Sequence, residues 1–485
     1  VLTPVEDLGL SGARMARRVH RVLRGLPQPE LAALLDRLHE RALARRLVYW
    51  HDDQVEAIRV LARPLAVLPQ QLSYVRYVSF TLQNALKRLP DLYLTDAAVR
   101  AALRLPDDEE RWLKECWGQS QREVNPVFGR LDAVIDFASP MWKDTLRFLE
   151  PNLSGIGGLH MGPACDRIVA DEVLPLLARV DPGLHLVSNV DLRELLMQEI
   201  VDHLEAIGRR GQHVCFVEPK YATDGPDEQE ELGRYLRGRY GLRMLHADPR
   251  ELALRGDEVV HEGVVVDVAY RDYSVADLVE LEAEGVDVEP MRRLLRENRM
   301  ITSIAGDLDC KSCFEVFTDL ELAARHFRAE EQQMFRRHVP WTRIMADRRT
   351  SLPGGGEGDL YEFARREREH LVLKPNRGYG GEGVLVGPTV HEADWEAALS
   401  QAMVDPDQHW VVQALAVVPI VDFPVVDGDS VGEEPFFVVM GFVPSKYGLG
   451  VLARASQAHV VNVAQRGGMC AVVIGSLAPG LDDAE

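Results

Sequence analysis

The segment Leu371-Val372-Leu373-Lys374-Pro375-Asn376-Arg377-Gly378-Tyr379-Gly380-Gly381-Glu382-Gly383-Val384-Leu385-Val386 constrains the fold more than any other part of the chain. Apolar residues flank four glycines on both sides, which reads as strand, loop, strand. Glycines let a backbone turn tightly and approach a ligand with no Cβ in the way. Successive exposed N–H groups can then cradle phosphate oxygens, with Lys374 as a positive charge at the entrance. Gly378-x-Gly380-x-x-Gly383 matches the dinucleotide fingerprint, but that fingerprint needs a helix directly after the glycines. A β-like run follows here. Lys374 precedes the glycines and no Gly-Lys-Ser/Thr exists, so this is not a Walker A loop. A protein kinase puts its lysine after the glycine loop and carries His-Arg-Asp and Asp-Phe-Gly elements, which are missing. The bland alternative is an ordinary glycine-rich hairpin.

A single core rarely grows beyond roughly 250–300 residues, so 485 residues imply two or more domains or subdomains. At 46% hydrophobic and 27% charged, the composition is that of a globular protein and not of a disordered one. A formal charge of −21 argues against a protein that coats nucleic acid, although a local phosphate site is compatible with it. Six cysteines in so long a chain make no disulfide framework, and Cys310-x-x-Cys313 lacks a second pair at zinc spacing. No run of 18 uncharged apolar residues exists, so no membrane span is expected. Glu6 and Asp7 with no apolar h-region argue against a signal peptide, and the absent initiator Met points to a trimmed chain. Cytoplasm is the expected compartment.

The expected class is α/β (α+β), in five segments. Residues 1–115 read as a helical region, with Leu31, Leu34, Leu35 and Leu38 and then Val75, Val78, Leu82 and Leu86 at helical spacing. Segment 116–200 carries two strands, Leu131–Asp136 and Thr145–Glu150, and then the glycine-rich loop from Pro151 to Gly158. Segment 201–300 has β-α-β texture: strand His213–Val217, helix Asp227–Tyr240 and strand from Leu242 to His246. Segment 301–475 holds Lys311, the glycine loop and the strand Trp410 to Leu415, with Leu352–Gly358 as a flexible connector. Residues 476–485 read as a loose tail.

Lys374-Pro375, the glycine hairpin and a following strand resemble the ATP-grasp superfamily. Lys311 in Asp309-Cys310-Lys311-Ser312 lies where the first family lysine would lie, and Trp410 to Leu415 resembles the hinge that meets the adenine. The family's metal strands normally follow the hinge and end in Glu-x-Asn. Here Glu150-Pro151-Asn152 lies upstream, with Asp136 on the preceding strand and Asp132 as its competitor. Alternation cannot separate these two, since residues four apart on a strand share a face. Asp136 is preferred because it sits at the strand end. That order resembles the circularly permuted ATP-grasp proteins, which are similar to glutathionylspermidine synthetase. Val268 to Leu278, and Arg454-Ala455-Ser456 with the run Val461 to Gly468, agree with that group. The implied fold is a permuted ATP-grasp with a pre-ATP-grasp β-α-β subdomain.

The resemblance implies a site. ATP would be held by Lys311, Lys374, Gly378, Tyr379, Gly380, Gly381, Gln413 and Leu415. Mg²⁺ would be held by Asp136, Glu150 and Asn152, the hard oxygen ligands it prefers. Arg454 and Lys374 would act on the reacting phosphoryl group, with Arg377 a weaker candidate cation. Ser154, Gly155 and Arg271 would line the acceptor pocket. The implied activity is carboxylate–amine ligation through an acyl phosphate, on small-molecule or peptide substrates. The alternatives are a phosphotransferase or ATPase on the same fold, or a non-catalytic nucleotide-binding scaffold. Neither substrate identity nor oligomeric state is legible.

Overall fold

The chain begins with two helices, Pro4–Arg24 and Gln28–Ala44. Thr3 and Glu6 exchange side-chain and backbone hydrogen bonds in a capping box that fixes where the first one starts. Their apolar faces pack with the helix Met161–Glu172 in a core that includes Met15, Leu34, Ile168 and Val169. This computed structural model describes residues 3–51, 54–211, 213–220, 225–226, 228–240, 243–378, 380–405, 409–427, 430–458 and 467–477. The molecule is mixed α/β.

Its largest sheet is assembled from distant parts of the chain. In spatial order its strands are Arg59–Val60, Gly468–Cys470, Gly448–Ser456, Ser430–Ser445, Arg130–Val134 and Arg147–Asn152, with Ile420–Asp427 also paired to Ser430–Ser445. The two strands carrying Asp132 and Glu150 thus continue a sheet whose other long strands lie about 300 residues later. A parallel four-stranded sheet has the order Arg243–Ala247, His213–Val217, Val268–Arg271, Met300–Ile301. The helix Gln229–Tyr240 makes the crossover between its first two strands in sequence, as the β-α-β texture predicts.

The glycine-loop segment forms a smaller body. Its sheet runs Thr342–Ile344, Trp410–Ala414, Leu371–Pro375, Leu385–Val386. Alternation along Leu371–Pro375 decides its two faces. Leu371 and Leu373 enter a private core with Trp395, Leu399 and Val412, under the helices Leu360–Arg366 and Glu392–Val404. Val372 and Lys374 face the other way, into the cavity described below.

Three sequence expectations change. Residues 1–115 are not uniformly helical: short strands at Val48–His51, Gln54–Ala57, Arg59–Val60 and Leu65–Val67 interrupt the helices. The last two pair in parallel with Gly468–Cys470 and Val472–Leu477, so this region is built into sheets completed by the far end of the chain. The segment Leu352 to Gly358 is a hairpin turn between Arg349–Ser351 and Glu357–Asp359 and not a connector. Strand Val472–Leu477 runs through the first two residues of the expected tail, and 478–485 lie outside the described residues. No described helix is long and apolar enough to cross a membrane.

Candidate functional site

Residues directly opposite one another on antiparallel strands share a face. Asp132 lies opposite both Glu150 and Gly441, Arg130 opposite Asn152, and Arg454 opposite Val439. This register puts Arg130, Asp132, Glu150, Asn152 and Arg454 on one face of the large sheet. They line a cavity of about 500 Å³, within the roughly 300–1,000 Å³ usual for small-molecule sites. Asp132 accepts from Arg130 Nε at 2.7 Å and Nη2 at 3.1 Å, and from Arg454 Nη2 at 2.7 Å. Burial works to raise its pKa, but the two guanidiniums outweigh burial and hold the carboxyl below its ordinary value.

The opposing wall is the cavity face of the glycine-loop sheet. Lys374 is buried, and its Nζ donates to Gln413 Oε1 at 2.9 Å. Gln413 donates in turn to the Thr342 hydroxyl at 3.0 Å and the Leu149 carbonyl at 3.3 Å. Burial pushes the Lys374 pKa down to about 8, Glu150 opposes that shift, and nearby Lys311 adds to it. Lys311 arrives from the loop after the parallel strand Met300–Ile301. Its Nζ donates to the Gly378 carbonyl at 2.8 Å and stands 3.3 Å from Glu150 Oε2. The loop backbone has positive φ at Gly378, Gly380, Gly381 and Gly383, which only glycine adopts without strain.

A third wall comes from Ser154 to Gly158 and from the loop after Val268–Arg271, which supplies Asp272, Ser274 and Asp277. This is the carboxyl end of a parallel strand, where open α/β sheets place their ligands. Gly155 has φ +68°, and a Cβ there would lie 1.8 Å from Asp272 Oδ1. Buried Glu228 accepts from the N–H groups of Gly158, His160 and Met161 at 2.8, 2.6 and 3.0 Å. A carboxylate thereby caps the amino end of the helix Met161–Glu172 and fixes the loop's return.

Among the described residues, three buried polar atoms of cavity-lining side chains have no hydrogen-bond partner: Asn152 Nδ2, Ser154 Oγ and Arg454 Nε. Leaving such a group unsatisfied costs about 1–3 kcal/mol. A polar ligand in the cavity would complete their bonding. Asn152 also fits a cation: turning its amide by 180° presents Oδ1, an oxygen ligand, beside Glu150 and Asp132. A carboxylate has about four lone-pair sites, so Asp132 and Glu150 keep acceptor capacity beyond their present partners.

The structure brings together Lys311, Lys374, Gly378, Gly380, Gly381, Gln413, Leu415, Glu150, Asn152, Ser154, Gly155 and Arg454. Tyr379 and the run 461–466 lie outside the described residues. Two expectations need correction. Asp136 does not line the cavity; it caps a turn, accepting from the Ala138 N–H at 2.9 Å, because the strand ends at Val134 and the chain turns away. Asp132 is the aspartate that faces the cavity. Arg271 is fully buried and spends its donors on the Thr302, Ser303 and Tyr273 carbonyls and on Asp307, so it locks the parallel sheet's loops and does not face the cavity. The Leu415 N–H donates to the His370 carbonyl at 2.8 Å and is already used. Arg377 pairs with buried Glu109 of the helix Asp107–Cys116. Sequence reasoning missed Arg130, although its place two residues before Asp132 on a strand puts both on one face. It also missed Asp272 and Glu228; no local signal marks Glu228.

No family model and no curated protein matches the chain. Among solved structures it is similar to a glutathione synthetase-like effector from Globodera pallida in its apo form. The TM-score is 0.62 at 12% identity, covering 93% of this chain and 98% of that one. At that identity the likeness is one of fold.

Proposed function

We propose that this chain is an ATP- and Mg²⁺-dependent ligase of the circularly permuted ATP-grasp type, joining a carboxylate to an amine through an acyl phosphate. The observation that carries the reading is the convergence of Lys311 and Lys374 with Asp132, Glu150 and Asn152 on one cavity roofed by a glycine loop. The fold shared with a glutathione synthetase-like protein supports it.

The task is electrostatic and positional. A triphosphate and a carboxylate repel each other, and charge gathers at the transferring phosphoryl group. Lys311 and Lys374 exchange their present acceptors, the Gly378 carbonyl and Gln413, for phosphate oxygens. Arg454, held by Asp132, stabilises charge developing at the reacting group. Asp132, Glu150 and Asn152 would hold Mg²⁺, which supplies charge neutralisation when bound. The glycine loop excludes water and so protects the acyl phosphate from hydrolysis. Alignment of the two substrates supplies on the order of 7–11 kcal/mol. No nucleophilic side chain is needed, in keeping with six described cysteines that are all buried.

The test is a screen of carboxylic acids and amines with MgATP for ADP release, with mass spectrometry of the products. An amide plus ADP is expected; a phosphorylated product would support the phosphotransferase reading instead. Lys374→Ala and Glu150→Ala abolish ATP turnover without unfolding the protein. Wild-type turnover in both variants would remove the basis of the assignment.

A further inference from the structure

The short segment Asp309 to Ser312 is tied to two separate pieces of the cavity wall. Asp309 Oδ2 accepts from the Leu153 N–H at 2.7 Å. Leu153 directly follows Asn152, so this carboxylate grips the end of the Glu150–Asn152 strand. Two residues on, the Lys311 N–H donates to the Asn376 carbonyl at 3.1 Å, and the Ser312 N–H donates to Asn376 Oδ1 at 2.8 Å. Asn376 is 1% exposed and stands between Lys374 and the first loop glycine. One face of the junction therefore holds the acidic strand end, and the other holds the base of the glycine loop. Lys311 lies between them, its Nζ reaching Glu150 on one side and Gly378 on the other.

We infer that Asp309 is a positioning residue, which through the Leu153 N–H sets the spacing of Glu150 and Asn152 against Lys311. Asp309 does not line the cavity. It acts by registering two pieces of chain that no shared strand pairing joins, since Lys311 belongs to a loop and Asn152 ends a strand of the large sheet. Groups that orient ligands from behind in this way are typically worth 10–100-fold in metal affinity. The inference rests on the Mg²⁺–ATP reading.

The test uses the full chain, Mn²⁺ as a paramagnetic probe and a non-hydrolysable ATP analogue. Binding of Mn²⁺ is followed by electron paramagnetic resonance and metal-free nucleotide binding by calorimetry. Asp309→Asn keeps the length but puts an amide N–H₂ against a backbone donor. Asp309→Glu keeps the carboxyl but moves the acceptor by a methylene. In both, Mn²⁺ affinity in the ternary complex is expected to fall at least about tenfold, with metal-free nucleotide affinity unchanged. Wild-type Mn²⁺ affinity in either variant overturns the inference and leaves the ligase reading standing. Equal loss of metal-free nucleotide binding, together with a lowered melting temperature, also overturns it, because the role is then general stability. A wild-type protein that binds neither probe removes the ligase reading and the inference together.

Discussion

Replacing Lys374 by Met tests the electrostatics of the site without any knowledge of its substrates. Burial displaces the Lys374 pKa from its ordinary 10.5 to about 8. Holding the ammonium charged in the free protein therefore costs on the order of 3 kcal/mol. The folded-state pKa lies below the unfolded one, so between pH 8 and 10.5 the unfolded chain binds more protons than the native one. Native stability owed to this group then rises with pH across that window, by about 1.4 kcal/mol per pH unit, and is flat below pH 8. Met carries no such term. It leaves Gln413 Oε1 without its donor, which costs about 1–3 kcal/mol. At pH 7 the two effects leave the variant as stable as wild type or up to about 2 kcal/mol more so. The assay is urea unfolding of both proteins from pH 7 to 10, where titrations of groups not coupled to Lys374 cancel in the difference. Wild type gains on the variant as pH rises past 8. A variant less stable than wild type at pH 7, or a pH-independent difference, refutes the reasoning. On the proposed reading, nucleotide affinity is expected to fall above about pH 8, because the neutral amine no longer attracts phosphate.

Asp132→Ala abolishes ATP turnover and Asp136→Ala leaves it near wild type, since only the first faces the cavity; the reverse result in an ADP-release assay would restore the strand-end reading. Arg271→Met strands the nearly buried Asp307 carboxylate and lowers stability by about 3–5 kcal/mol, read as a fall in melting temperature; an unchanged melting temperature refutes the structural role. Gly155→Ala meets Asp272 and a positive φ, costing about 1–3 kcal/mol. Its effect on turnover is expected in KM for one substrate and not for ATP, and a raised KM for ATP alone would put the loop beside the nucleotide.

The pattern around Lys374 was legible because apolar runs and glycine content are local properties. Apolar runs on both sides of the four glycines already mark strand, loop and strand, with Lys374 ahead of the loop; which face each strand residue takes came from the structure. The parallel β-α-β unit was legible for the same reason. The strands at Arg59–Val60 and Leu65–Val67 were not, because two or three residues carry no periodicity and their partners lie some 400 residues away. The choice between Asp132 and Asp136 failed where period-2 alternation is silent. It was settled by where the strand stops and by Arg130 and Arg454, which bind only the first.

By itself the sequence determined the chemistry offered to a ligand: two lysines, a glycine loop, and a Glu-x-Asn strand end, the groups that the proposed reading assigns to phosphate and a hard cation. Side-chain type and short spacing suffice for that. The tertiary structure decided which of those groups meet, because meeting depends on register between strands far apart in the chain. Register made Asp132 a member of the site, removed Arg271 into the fold's interior, and brought Asp309 behind the strand end, contacts that no local pattern encodes.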